Sequence, residues 1–163
     1  MIKDDIFWIK DYEEFIDYKG LKDNPDLDLV WDYSLDDLVI KEFCSGDGYT
    51  PERGEFNDSS WINLNIVRCE NSYIKDTEGK LIYLDCSIFE FRHISKVFGK
   101  EFAYTGYLKR NTETLETDIF IWDEDLGLIN FGVYDKNNVF DILVIDTLQE
   151  SEVTMPEETD TDL

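Results

Sequence analysis

The chain has 163 residues, 38 of them acidic against 15 basic, for a formal net charge of −23. Hydrophobic residues at 42% and aromatics at 15% exclude intrinsic disorder and suffice for a buried core in one domain. Charge of this sign repels phosphates and argues against nucleic-acid binding. The absence of any apolar run of about 18 residues argues against a membrane span.

In chain order, the first third reads as helices and loops. Tyr12, Phe15 and Ile16, with Trp8 upstream, recur at helical spacing, and Gly20 follows as a stop. Ser34 stands as an N-cap before Leu35, Leu38, Val39 and Phe43, with Asp36 and Asp37 in the positive first turn. Residues 45–54, rich in glycine with Pro51, read as a loop. From Trp61 the pattern changes to alternation: Ile62, Leu64 and Ile66, then apolar segments at 81–91, 102–109, 117–123, 128–135 and 139–146. Short polar links between them leave room only for antiparallel neighbours. The expected fold is therefore α+β: N-terminal helices packed on a mainly antiparallel, meandering sheet of about six strands. It forms one acidic domain over residues 1–148, followed by a mobile acidic tail over 149–163.

Chemistry is sparse. Cys44, Cys69 and Cys86 are odd in number and widely spaced, which suits reduced thiols and neither a disulfide framework nor a zinc site. His93 is the only histidine, so a nucleophile–histidine site would depend on it alone. Asp26 with Asp28, and Asp123-Glu124-Asp125, lack the spacing of a calcium loop. Glu78-Gly79-Lys80 imitates part of a nuclease motif but falls on a turn. The expectation is no enzymatic activity, no catalytic residue, no metal and no cofactor. Asp4 and Asp5 stand where a signal peptide needs bases, and the expected location is the cytoplasm.

The charge is uneven. Residues 1–60 carry −11, residues 61–111 carry +2, and residues 112–163 carry −14 with Lys136 as their single base. Asp118, Asp123, Asp141 and Asp146 thus stand on or beside strands without neighbouring lysines, and Asp135 has only Lys136. Such a field steers a basic partner. Aromatics accompany it: Trp122 precedes Asp123-Glu124-Asp125, Tyr134 precedes Asp135, and Trp31 and Tyr33 flank Asp32. An aromatic centre rimmed by charge suits a protein–protein hot spot. The expected partner-binding residues are Trp122, Asp123, Glu124, Asp125, Tyr134 and Asp135.

Size, the acidic segments Asp11-Tyr12-Glu13-Glu14 and Leu35-Asp36-Asp37-Leu38, the aromatic-rich strands and Trp122-Asp123-Glu124-Asp125 give the chain a family character. It resembles the small acidic immunity proteins of bacterial contact-dependent and other polymorphic toxin systems. That class has no single fold, so no functional residue is carried over from it. The resemblance implies a cytoplasmic inhibitor without enzymatic activity that masks a basic toxin domain, a nuclease foremost, and binds neither nucleic acid nor membrane. The alternative is a phage- or plasmid-encoded nucleic-acid mimic that inhibits a restriction or CRISPR-type nuclease. A third reading treats Thr161-Asp162-Leu163 as a C-terminal peptide ligand.

Overall fold

The computed structural model describes residues 2–44, 48–50, 55–57 and 60–154. They divide into two compact units, residues 1–68 and 69–163. Among the described residues the chain is mostly β, with two short helices and several small sheets. This overturns the expected α+β arrangement of N-terminal helices on a six-stranded sheet.

The first unit contains strands β1 (Ile6–Ile9), β2 (Glu14–Asp17), β3 (Leu27–Asp32), β4 (Asp37–Cys44), β5 (Gly48–Thr50), β6 (Glu55–Asn57), β7 (Ser60–Leu64) and β8 (Ile66–Cys69), with helix α1 (Tyr18–Asp23). Its sheets run β2-β1-β8, β3-β4-β7 and β5-β6. Both helices expected here are hairpins. Trp8 and Phe15, which would share one face with Tyr12 and Ile16 on a helical wheel, are instead cross-strand partners with ring centroids 4.8 Å apart. In β4, adjacent Val39 and Ile40 are both buried, one on each face, which a strand allows and a one-sided helix does not. β-branched residues also pack better on a pleated surface. Ser34 caps no helix: its N–H and hydroxyl both bond to Asp32 Oδ1. Phe7, Ile9, Leu21, Ile40 and Leu64 form the core of this unit. Beneath them Asp5, almost fully buried, takes Arg68 Nε at 2.8 Å and Nη2 at 2.7 Å.

The second unit contains β9 (Asn71–Lys75), β10 (Leu81–Tyr83), β11 (Ser87–Ile94), β12 (Glu101–Arg110), β13 (Thr117–Asp123), β14 (Gly127–Val133), β15 (Val139–Thr147) and helix α2 (Leu148–Thr154). β9 and β10 pair with each other, and the other five form an antiparallel sheet in the order β14-β13-β12-β11-β15. Phe131 of β14 touches Phe91 and His93 of β11, three strands away, at 5.4 and 5.0 Å. A flat sheet would hold those strands about 14 Å apart, so the sheet is strongly curled. Inside the curl lie Phe89, Phe91, Leu108, Ile119, Ile121, Ile142 and Val144, together with Ile82 and Leu84 from the segment Leu81–Cys86.

One turn device recurs. Asp32, Asn111 and Asp123 each accept backbone N–H groups from the residues two and three positions on. In each case the residue four positions on has positive φ: Asp36 at 53°, Leu115 at 63° and Gly127 at 75°. A short side-chain oxygen closes the turn and a left-handed residue returns the chain to its partner strand.

The three cysteines are free thiols, with Cys69 and Cys86 buried. A hydrogen bond to Cys69 and burial push the Cys86 thiol upward, which favours the protonated form. Residues 149–154 of the expected tail belong to α2, whose Gln149 Nε2 donates to the Asp85 carbonyl at 3.1 Å. Residues 155–163, including Thr161-Asp162-Leu163, lie outside the described residues, as does most of the expected loop over 45–54. No helix among the described residues is long and apolar enough to cross a membrane.

Candidate partner-binding surface

The β13–β14 hairpin carries four of the six expected site residues. Alternation along β13 sends Ile119 and Ile121 into the core and Phe120 and Trp122 to the opposite face. There Tyr107 of β12 stacks on Phe120 at 5.8 Å and meets Trp122 at 5.5 Å. Lys109 Nζ lies 5.9 Å from the Phe120 ring centroid. Trp122 pairs across the hairpin with Leu128, and the two are 44% and 48% exposed. A row of aromatic and aliphatic groups thus leads from the buried Tyr107 to the hairpin tip.

The acids at that tip have different duties. Asp123 Oδ1 accepts the N–H groups of Asp125 and Leu126, both at 2.9 Å, so this carboxylate shapes the turn. The carboxylates of Glu124 and Asp125 are exposed and make no hydrogen bond or ion pair within the described residues. Leu126, missed by sequence reasoning, stands 73% exposed beside them. Asp123→Ala removes a turn cap and is expected to cost about 1 kcal/mol, read as a lowered urea midpoint, with Glu124→Gln unchanged as the control.

Tyr134 and Asp135 lie elsewhere. Seven residues of extended chain separate them from the Asp123 turn, so they sit about 20 Å away at the other end of β14. Tyr134 packs against the core, and burial, with Asp135 beside it, raises its phenol. Asp135 accepts Asn137 N–H at 2.9 Å and Asn138 Nδ2 at 3.3 Å and so closes the β14–β15 link. The six residues therefore form two separate groups. Only Trp122, Glu124 and Asp125 present side chains without a structural commitment of this kind.

Three other acids of this region also have internal work. Asp118 is buried and bonded by Asn111 and Asn130 Nδ2, and Asp146 accepts Thr147 N–H. Asp141 lies 3.9 Å from Arg92, which also pairs with Glu101.

The first unit repeats the tip in miniature. Trp31-Asp32-Tyr33-Ser34-Leu35 and Trp122-Asp123-Glu124-Asp125-Leu126 share Trp-Asp-x-x-Leu, the same Asp cap, a half-exposed tryptophan and an exposed leucine. The bond from Ser34, followed by backbone donors and Asn63, holds the Asp32 carboxyl below its ordinary range. This five-residue repeat was the sequence signal for an exposed hairpin tip.

Chemistry-bearing groups do not gather. No cluster of three or more His, Cys, Asp or Glu suited to a metal occurs among the described residues. His93 lies edge-on to Phe131 at the rim of the core. No family model, no curated protein and no solved structure matches this chain.

Proposed function

We propose that this protein is an immunity-type inhibitor: a cytoplasmic, non-enzymatic binder that neutralises a basic toxin domain, such as a nuclease, by covering its active site or substrate groove. One observation carries the reading. At the β13–β14 tip an aromatic–aliphatic pair, Trp122 and Leu128, stands exposed beside two uncompensated carboxylates, Glu124 and Asp125, in a chain of net charge −23. Apolar groups at such a centre hold a partner, while the surrounding charge accelerates and orients its approach. The ion pairs found among the described residues engage only a few of the acids. The net field therefore remains available to a cationic surface.

The test takes the reading frame adjacent to this one and expresses the C-terminal domain it encodes. Toxicity and complex formation are then measured with and without this protein. A stoichiometric complex that abolishes toxicity supports the proposal. Full toxicity with no complex at low ionic strength overturns it.

A further inference from the structure

The β14 strand is an edge whose first half lacks the usual protection. Within its own unit it pairs with β13 alone among the described residues, at the end of the strand order, and Gly127, Leu128 and Asn130 are exposed. Its sequence, Gly-Leu-Ile-Asn-Phe-Gly-Val, holds no charge and no proline, the devices that normally blunt an edge. Pairing is regular from Gly127 to Asn130. It then breaks: Asn130 and Gly132 face Phe120 and Ile119, leaving Phe131 bulged without a partner. The Gly132 N–H is turned back onto Asn130 Oδ1 at 2.9 Å. The regular open edge is thus the short run next to the hairpin tip, where Leu128 lies beside Trp122 and Glu124 and Asp125 project. Lys136, the single base after residue 111, follows the far end of the strand.

We infer that the edge of β14 from Gly127 to Asn130 is the docking site for an extended, basic segment of the partner protein, which adds there as a further strand. Main-chain hydrogen bonds supply the attachment. One side chain of the added segment lies against Leu128 and Trp122, and a lysine or arginine at its end meets Glu124 and Asp125. Charge decides the occupant. A second copy of this chain would bring the same carboxylates and another −23 to the contact, whereas a cationic strand relieves both. The inference rests on the proposed binding of a basic partner and names the place where it happens.

The experiment uses the full chain and a peptide, Lys-Thr-Val-Thr-Val-Thr-Lys, with amide hydrogen exchange as the readout. With peptide at ten times its Kd, the slowed amides should fall within residues 127–130, by about tenfold. The same peptide N-methylated at alternate residues, or carrying glutamate in place of lysine, should give no slowing. Glu124→Gln with Asp125→Asn should weaken the peptide by about fivefold at low salt and have little effect at high salt. Slowing elsewhere, equal slowing by the N-methylated peptide, or no slowing at all overturns the docking site. So does a β14-mediated dimer of the protein itself. Binding of the adjacent toxin domain with protection outside β14 would remove this site and leave the inhibitor reading standing. Protection of β14 by peptide without toxin inhibition would do the reverse.

Discussion

Asp76→Ala is expected to destabilise the second unit by about 3 kcal/mol, because one buried carboxylate fastens three backbone groups. Its Oδ1 accepts the N–H of Glu78 at 2.9 Å and of Lys80 at 2.8 Å, closing the β9–β10 turn. Its Oδ2 accepts the N–H of Val144 at 3.0 Å, in the core strand β15. Thr77 adds two bonds from its N–H and hydroxyl to the Ile142 carbonyl. The hairpin is thereby clamped to the sheet, and alanine leaves a buried donor on β15 without a partner. Burial by itself raises the Asp76 carboxyl. The donors from Val144, Lys80 and Glu78, with the Lys80 charge, outweigh it and hold the group below its ordinary value. A depressed folded-state pKa contributes stability above the unfolded carboxyl pKa of about 4, and that contribution is lost as pH falls through the lower folded value. Asp76→Asn, which keeps one acceptor, should therefore trail the native chain at pH 7 and approach it in acid. Urea melts at pH 7 and pH 3 check both statements. An Asp76→Ala chain as stable as the native one at pH 7 would refute the clamp.

Gly106→Ala should be at least as damaging. A Cβ there would stand 2.2 Å from the Phe120 carbonyl oxygen and 3.2 Å from Ile121 Cγ2. The closer obstacle is the backbone of the neighbouring strand and cannot rotate away. β12 is the central strand, with Gly106 paired to Phe89 on one side and Ile121 on the other. An added methyl must push β13 outward and disturb the Leu108–Ile119 contact in the core, at an expected cost of about 3 kcal/mol or more. Gly127→Ala is the control. It has open space but a φ of 75°, so only left-handed strain of about 1 kcal/mol is expected. Thermal melts compare the two; equal, small losses would mean that the strands do not approach so closely.

What the sequence disclosed followed from period and turn chemistry. The alternation at 102–109, 117–123 and 139–146 coincides with β12, β13 and β15, where one face is core and the signal is clean. The N-terminal misreading has a physical cause. Trp8, Phe15 and Ile16 fit a 3.6-residue period as well as a four-residue hairpin link, and Ser34 near two acids looks like an N-cap when Asp32 is closing a turn beside it. Division into several small sheets left no mark, since it depends on long-range pairings such as that of β11 with β15.

At the candidate surface, the adjacency of Trp122 and its acids could be read from the residues alone. Which acids were committed to turns could not, because Asp123 and Asp135 are indistinguishable from Glu124 and Asp125 until the backbone donors are placed. Nor could the 20 Å between the two groups be seen, although β14 itself supplied the spacing.

The central claim is that uncompensated acids beside Trp122 bring a basic partner to this surface. The most direct measurement is the association rate constant with the domain encoded by the adjacent reading frame across ionic strengths, for the native chain and for Glu124→Gln with Asp125→Asn. The native rate should fall steeply with salt, and the double variant should associate several-fold more slowly at low salt with a flatter dependence. A native rate indifferent to salt, or a double variant indistinguishable from it at low salt, would contradict the claim.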